Sequence, residues 1–269
     1  MANDLLKGKK GIIFGALDEK SIAWKVAERV YEQGGKLILT NAPIALRMGK
    51  INELGEKVNA EIISADATST EDLEALINQS TEKFGGKIDF ILHSIGMSPN
   101  VRKKKSYTDI NYDYYLKTLD ISAISLHKVL QTAFNLDAIS EGGSVVTLSY
   151  IAAQKTFPGY GDMAEAKAML ESIVRSFGYQ YAIKNKVRVN SISQSPTMTT
   201  AGSGVTDFDK FYAFADKLAP LGNASTESCA DLCIALFSDL TKMVTMQNIY
   251  NDGGFSTTGM SEKLFEMFK

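Results

Sequence analysis

The sequence predicts an α/β fold built on one doubly wound parallel sheet. Three observations carry that expectation. Short, continuously apolar runs recur along the chain, as strands buried on both faces require. Stretches with helical spacing separate those runs, which implies βαβ units. Right-handed crossovers then lay helices on both faces of a sheet of about seven strands. We find no linker, repeat or low-complexity segment, so a single domain is expected over residues 1–269.

Gly11-Ile12-Ile13-Phe14 is the first apolar run. Ser21 to Glu32 follows with Ile22, Val26, Val30 and Tyr31 at helical spacing, stopped by Gly34-Gly35. Leu37-Ile38-Leu39 is the second strand, Ile44 to Leu54 a helix, and Glu61-Ile62-Ile63 the third strand. Thr70 to Lys83 reads as a helix capped by Thr70, with Glu71 and Asp72 in its first turn. Ile88 to Leu92 is the fourth strand. A polar loop from Pro99 to Asn111 leads into a long helix ending near Leu136. Ser144 to Leu148 is the fifth strand, Gly161 to Lys184 a helix, and Val187 to Ile192 the sixth strand. After a long segment from Ser193 to Ala224 come a helix, Glu227 to Leu240, and a last strand, Asn248 to Tyr250.

Composition narrows the function classes. Hydrophobic residues make up 45% and charged residues 22% of the chain, which excludes a disordered, collagen-like or disulfide-stapled protein. Lys and Arg total 29 and Asp and Glu 31, a net charge of −2, without the electrostatic footprint of a nucleic-acid binder. Cys229 and Cys233 share one face of an expected helix, far in sequence from His93 and His127. They read as buried free thiols, and no metal site is expected. Met1 to Lys10 has no apolar run of signal-peptide length, and nothing approaches the ~18 apolar residues of a membrane span. A cytoplasmic protein is expected, with no membrane partner.

Ligands of such sheets bind at the carboxyl ends of the strands, near the point where strand order reverses. The loop after the first strand runs Gly15-Ala16-Leu17-Asp18-Glu19-Lys20-Ser21-Ile22-Ala23. Its small residues at 15, 16, 21 and 23 admit close approach of a pyrophosphate to a helix N-terminus; an ordinary turn with Ser21 as helix cap is the alternative. At the end of the second strand, Thr40-Asn41-Ala42-Pro43 offers neither the acid typical of NAD sites nor the arginine typical of NADP sites. Arg47 is either a 2′-phosphate partner or a solvated helix residue. Asp66 is either an adenine acceptor or a surface carboxylate. After the fifth strand, Tyr160 and Lys167 stand seven residues apart, two helical turns, which puts both on one helix face. A phenol beside an ammonium is more easily polarised and can donate to an oxygen gaining charge. The competing account is a packed tyrosine and a solvated lysine.

These motifs together resemble a known family. Gly15 through Ser21-Ile22-Ala23, His93-Ser94-Ile95-Gly96, Asp120-Ile121-Ser122, Leu148-Ser149-Tyr150, Tyr160 with Lys167, Val187-Arg188-Val189-Asn190 with Ser193 and Pro196, and Asp252-Gly253-Gly254-Phe255 are similar to the bacterial enoyl-acyl-carrier-protein reductases of type II fatty acid synthesis. That family is a divergent branch of the short-chain dehydrogenase/reductase superfamily with a Rossmann-like sheet, and the resemblance covers nearly the whole chain. The tyrosine–lysine spacing discriminates most. Ordinary superfamily members carry Tyr-x-x-x-Lys, whereas here Ala164 stands four after Tyr160 and six residues intervene before Lys167.

The resemblance implies a role for each position. Gly15, Ser21 and Ile22 line the pyrophosphate, and Asp66 and Ala67 hold the adenine. Ser94, Ile95 and Gly96 flank the ribose and nicotinamide. Lys167 binds the nicotinamide ribose, with Thr197 and Thr199 by the carboxamide and phosphate. Hydride passes to the β-carbon of a trans-2-enoyl thioester, Tyr160 donates to the thioester oxygen, and Tyr150 is a second donor near the acyl chain. Met97, Tyr150, Met163 and Phe208 wall the acyl pocket, with Tyr212 and Phe214 as further candidates and aromatic core packing as the rival account. The implied assembly is a homotetramer using the helices that start near Tyr112 and Gly161. The implied cofactor is NADH, with NADPH left open by two departures. Ser193-Gln194-Ser195-Pro196-Thr197 lacks the usual Gly before and Ile after the proline, and the second strand lacks the Gln frequent in NADH-using relatives.

Two segments are matched to the substrate. Residues of about 197–218 form an expected lid, since long loops in compact domains are usually functional. Arg102-Lys103-Lys104-Lys105 is a basic run that either greets an acidic acyl carrier protein or is simply solvated. A carbonyl reductase on the same scaffold and a nucleotide-binding regulator without turnover are the alternative functions.

Overall fold

The computed structural model describes residues 4–200, 202 and 207–266. Its centre is strand β1 (Lys10–Phe14), whose Ile12, Ile13 and Phe14 are wholly buried because helices cover both faces of the sheet. Around it lie β2 (Lys36–Asn41), β3 (Glu61–Ser64), β4 (Ile88–His93), β5 (Ile139–Ser149), β6 (Arg188–Gln194) and β7 (Asn248–Asn251). All pairings are parallel, and the strand order is 3-2-1-4-5-6-7. The order reverses between β1 and β4, so the loops after these two strands part there and open a crevice. The sheet is the one the apolar runs predicted.

One face carries α4 (Thr70–Phe84), α7 (Ser125–Asn135) and α8 (Asp162–Asn185), packed on Ile12, Phe14, Ile91, Val145 and Val189. The other carries α1 (Ile22–Glu32), α3 (Ile51–Lys57) and α10 (Thr226–Phe237), packed on Ile13, Leu39, Leu92, Val146 and Ile192. Residues adjacent along each strand enter opposite cores, as the pleat requires. Cys229 and Cys233 are buried in the second core as free thiols, as expected. Arg188 is buried too, and its guanidinium donates to the carbonyls of Leu236 and Ser238 at the end of α10.

Several boundaries differ from the sequence expectation. The helix expected from Ile44 to Leu54 is broken into α2 (Pro43–Met48) and α3: Gly49 is extended at the end of α2, and the Lys50 amide bonds the Leu17 carbonyl at 2.8 Å instead of continuing the helix. Ser69, not Thr70, caps α4, its hydroxyl accepting from the Asp72 amide at 3.1 Å. The loop after β4 holds a short helix, α5 (Pro99–Arg102). The long helix that follows is α6 (Tyr112–Leu119) running through a π turn (Asp120–Ile124) into α7. The long segment after β6 contains α9 (Phe208–Leu218), and α11 (Glu262–Phe265) follows β7. Of the lid range, residues 201 and 203–206 lie outside the described residues, as do 1–3 and 267–269. No helix among the described residues is long and apolar enough to cross a membrane.

Gly11 tests the packing at the centre of the sheet. A Cβ there would lie 2.2 Å from the Phe90 carbonyl oxygen and 2.3 Å from its ring. Overpacking of this kind costs about 1–3 kcal/mol. Gly11→Ala is therefore expected to lower the melting temperature by roughly 5 °C or more. Gly259→Ala, where a Cβ meets open space, leaves it unchanged; circular dichroism melts compare the two.

Candidate active site

The crevice begins at Gly15. Its φ is +93°, and a Cβ would lie 2.0 Å from the Ser94 carbonyl oxygen, so only glycine lets the loops after β1 and β4 approach this closely. The chain then turns into α1. Ser21 sits at the cap position but makes no side-chain cap bond; its hydroxyl donates to the Asp18 carbonyl at 2.7 Å instead. The first amides of α1, from Ile22 on, are left with their dipole facing the crevice, the arrangement that binds a phosphate. Asn41, at the end of β2, donates to the Ala16 carbonyl at 3.0 Å and braces this loop. Arg47 is exposed on α2. Asp66 is half-buried and takes two bonds from Thr68 on one carboxylate oxygen, and Ala67 is buried beside it.

Lys167 is buried on α8, its ammonium donating to the Leu148 carbonyl at 2.8 Å. It also reaches Gly96, where a Cβ would stand 3.7 Å from Nζ. This brings together Ser94, Ile95 and Gly96 from the end of β4 with the lysine predicted to serve the same cofactor. Burial pushes the Lys167 ammonium down to about 8, with Glu171 pulling the other way. His93, behind it, is a structural residue. Its ring bonds the Thr147 and Ser125 hydroxyls, and burial with the Lys167 charge lowers it to about 3, so it is neutral. The Met97 backbone is pinned through both amide and carbonyl to the Ser122 hydroxyl, on the π turn.

Tyr160 differs from its expectation in one respect. It lies just before α8 rather than on it, because Gly161 at φ +48° turns the chain into the helix. The Met163 amide nevertheless bonds the Tyr160 carbonyl at 3.2 Å, tying the tyrosine to the first turn. Burial raises the Tyr160 hydroxyl well above the ordinary phenol value, so desolvation rather than polarisation governs it. It stays a protonated donor. Tyr150 lies 5.1 Å from it, ring centre to ring centre. Burial, the Tyr160 side chain and Asp252 raise its hydroxyl as well, and that hydroxyl has no hydrogen-bond partner among the described residues. A buried orphan donor of this kind is what a ligand oxygen would satisfy.

Two buried carboxyl groups escaped sequence reasoning. Glu171 accepts from the Ser149 hydroxyl at 2.6 Å and the Gln154 amide at 3.1 Å. Asp162 accepts from Ser98 at 2.6 Å, Asn100 at 2.7 Å and Thr118 at 2.9 Å. Both sit in a helix where an acid reads as surface polarity; for Asp162 the only signal is its place beside the tyrosine–lysine motif.

The loop after β6 closes the far side. Thr197 donates to the Ser195 carbonyl at 2.9 Å and accepts from Gln194 at 3.0 Å, so its hydroxyl is engaged by its own loop. Thr199 accepts from the Gly202 amide at 2.9 Å, and Thr200 donates to Asp18 at 2.5 Å, bridging this loop to the one after β1. On α9, Phe211 rather than Phe208 meets the tyrosine pair, with its ring centre 6.2 Å from that of Tyr150. Phe208 packs 6.2 Å from Tyr212, near Gly202, and Phe214 is about half exposed (48%). Met163 is buried, and Met97 is half-buried.

Glycine cradles that a Cβ would fill, an uncapped helix start and a buried lysine fit a dinucleotide. Burial of Lys167 also has a thermodynamic consequence. Between about 8 and the ordinary lysine value of 10.5 the folded chain holds fewer protons than the unfolded chain, so this residue makes stability rise with pH across that window. Lys167→Met removes that slope. Denaturant titrations of the two proteins from pH 7.5 to 10.5 are expected to show unfolding free energies whose difference changes with pH in this sense.

The comparisons agree with the geometry. The family model for Enoyl-(Acyl carrier protein) reductase matches residues 15–256. The chain is 34% identical over 260 residues to a Rhizobium meliloti protein named Enoyl-(acyl-carrier-protein) reductase (NADH) 2, covering 96% of this chain and 95% of that one. It is 34% identical to the FabI enoyl-(acyl-carrier-protein) reductase (NADH) of Rickettsia typhi, covering 98% and 100%. The crystal structure of the FabI–NADH complex from Alistipes finegoldii superposes with a TM-score of 0.97 at 60% identity, covering 99% of this chain and 94% of that one. With these strands, this crevice and this tyrosine–lysine pair, the chain belongs to the enoyl-acyl-carrier-protein reductase family.

Proposed function

We propose that this protein reduces the trans-2 double bond of enoyl-acyl-carrier-protein thioesters in fatty acid elongation, using NADH. The single observation that carries the chemistry is the pair of phenols, half-buried Tyr160 and buried Tyr150, whose rings stand 5.1 Å apart beside the start of the helix that carries Lys167. When bound, NADH supplies the hydride that goes to the substrate β-carbon. Gly15, Ser21 and Ile22 hold the pyrophosphate, Asp66 and Ala67 the adenine, and Ser94, Ile95 and Gly96 the ribose and nicotinamide. Lys167 binds the ribose hydroxyls, and Thr197 and Thr199 the carboxamide and phosphate. Because its hydroxyl is already engaged by Ser195 and Gln194, Thr197 adds no unmet polar group beside the nicotinamide.

Hydride at the β-carbon puts negative charge on the thioester oxygen as an enolate, and a proton taken up at the α-carbon then completes the saturated thioester. Tyr160 donates a hydrogen bond to that oxygen, and Tyr150 is the second donor. Both are protonated at neutral pH as any phenol is, burial raises them further, and the dry surroundings strengthen the bond. Met97, Tyr150, Met163 and Phe208 wall the acyl chain, joined by Phe211, and the segment 197–218 acts as the lid. Exposed apolar residues on α6 (Tyr112, Leu116) and α8 (Tyr179, Ile183) support assembly as a homotetramer through these helices.

Loss of reduced-nicotinamide absorbance is expected with a trans-2-enoyl thioester and not with a 3-oxoacyl thioester, faster with NADH than NADPH. Tyr160→Phe lowers kcat on the order of 100-fold, the cost of one oxyanion donor at about 2.7–4 kcal/mol. Turnover of the 3-oxoacyl substrate alone would assign the chain to carbonyl reduction instead.

The acyl carrier protein docks beside the basic run. Arg102, Lys103, Lys104 and Lys105 are all exposed on the loop after β4. Lys103 is held over the Tyr114 ring at 4.6 Å and Lys105 pairs with Asp109 at 3.2 Å, so Arg102 and Lys104 carry most of the unpaired charge. Replacing all four by Ser is expected to raise KM for the carrier-protein substrate several-fold and leave KM for a coenzyme A thioester unchanged; an unchanged carrier-protein KM refutes this docking site.

A further inference from the structure

Asp162 is a fully buried carboxyl group that the proposed reaction does not use. It is the first residue of α8, two after Tyr160 and one after the glycine that turns the chain. Its three donors come from elsewhere in the fold. Ser98 and Asn100 belong to the loop after β4 and to α5, and Thr118 to the end of α6. Among the described residues no cation pairs with it. Three donors and the positive end of a 24-residue helix replace the water it has lost. Its partners are themselves fixed. Ser98 accepts from the Val101 amide at 3.0 Å, and Asn100 bonds both the amide and the carbonyl of Asn111.

This network ties the first residue of α8 to the loop after β4, to α5 and to α6. Gly161, in a backbone conformation open to glycine, makes the corner between Tyr160 and α8. On its other side the Tyr160 amide bonds the Phe157 carbonyl at 3.2 Å. Asp162 anchors the residue after the corner to three separate elements, and the Met163 amide ties the tyrosine carbonyl to the same turn.

We infer that Asp162 is a positioning residue for Tyr160: its bonds to Ser98, Asn100 and Thr118 set where the Tyr160 hydroxyl stands relative to the substrate oxygen. The inference rests on the enoyl reductase reading. In that reading Tyr160 makes its bond mainly as charge develops, so its displacement costs rate more than binding, and a small misplacement is enough to lose much of the rate.

The test is a double-mutant cycle. Asp162→Asn keeps the shape and the acceptor for Ser98, but turns an amide toward the donors Asn100 and Thr118. It is expected to lower kcat with a trans-2-enoyl thioester roughly tenfold or more. The dissociation constant for NADH, read by nicotinamide fluorescence, and KM for the thioester stay within about threefold of wild type. Introduced into Tyr160→Phe, the same substitution costs less than about threefold, because the group it positions is gone. Thr118→Val, which removes one bond of the network, follows the same pattern more weakly and carries the test if Asp162→Asn does not fold. Equal losses in both backgrounds, an unchanged kcat in the folded variant, or a loss confined to NADH binding would each overturn the inference. Wild-type protein that binds NADH but does not reduce the enoyl thioester overturns the functional reading itself, and this proposal with it.

Discussion

Helix α8 must lie against the sheet with polar groups on its buried side, and each of those groups has to be satisfied without water. Most of the site depends on that constraint. An unpaired charge in a dry interior is costly enough that the fold supplies partners or the group gives up its charge. Glu171 is met by Ser149 from the end of β5 and by Gln154 from the turn beyond it. Asp162 is met by donors from the other side of the crevice. Lys167, between them in sequence, has among the described residues the Leu148 carbonyl as its direct partner and Glu171 as a nearby countercharge. The two carboxyl groups tie the helix to its neighbours while Ala166, Leu170 and Val174 seat it in the core, and in that placement the lysine stands beside Gly96.

The same dryness sets the chemistry. Desolvation depresses the lysine, raises both tyrosines and neutralises His93. The result is a crevice lined by donors and one modest positive charge, suited to an oxygen that gains negative charge and to hydroxyls that need an ordered partner.

The loops around the crevice are held to one another by close approach and by hydrogen bonds. Gly15 touches Ser94, Asn41 holds Ala16, and Thr200 reaches Asp18. These contacts join the ends of β2, β1 and β4, which are neighbours in the sheet, to the end of β6, one strand further along beyond β5. A parallel sheet whose order reverses here leaves the loops close enough to bond and far enough apart to admit a flat ligand.

The sequence by itself determined the sheet and most of the cofactor crevice. Apolar runs of strand length and the helical spacing between them are local signals, so β1 through β7 and the helices covering them were legible from their own residues. Gly15, Lys167 and Tyr160 were legible because their spacing matches a family pattern. Tertiary structure decided what depends on neighbours distant in the chain. The break at Gly49 uses a local stop signal, the glycine, but it is completed by the distant Leu17 carbonyl, which takes the Lys50 amide. Phe211 rather than Phe208 faces Tyr150 because α9 presents Phe211, Ala215 and Leu218 to that cluster. Asp162 reads locally as an ordinary helix-start acid, and its burial arises only when residues 98, 100 and 118 fold over it. A residue's own spacing reveals which element it joins; only the elements packed against it decide whether its charge faces water or the site.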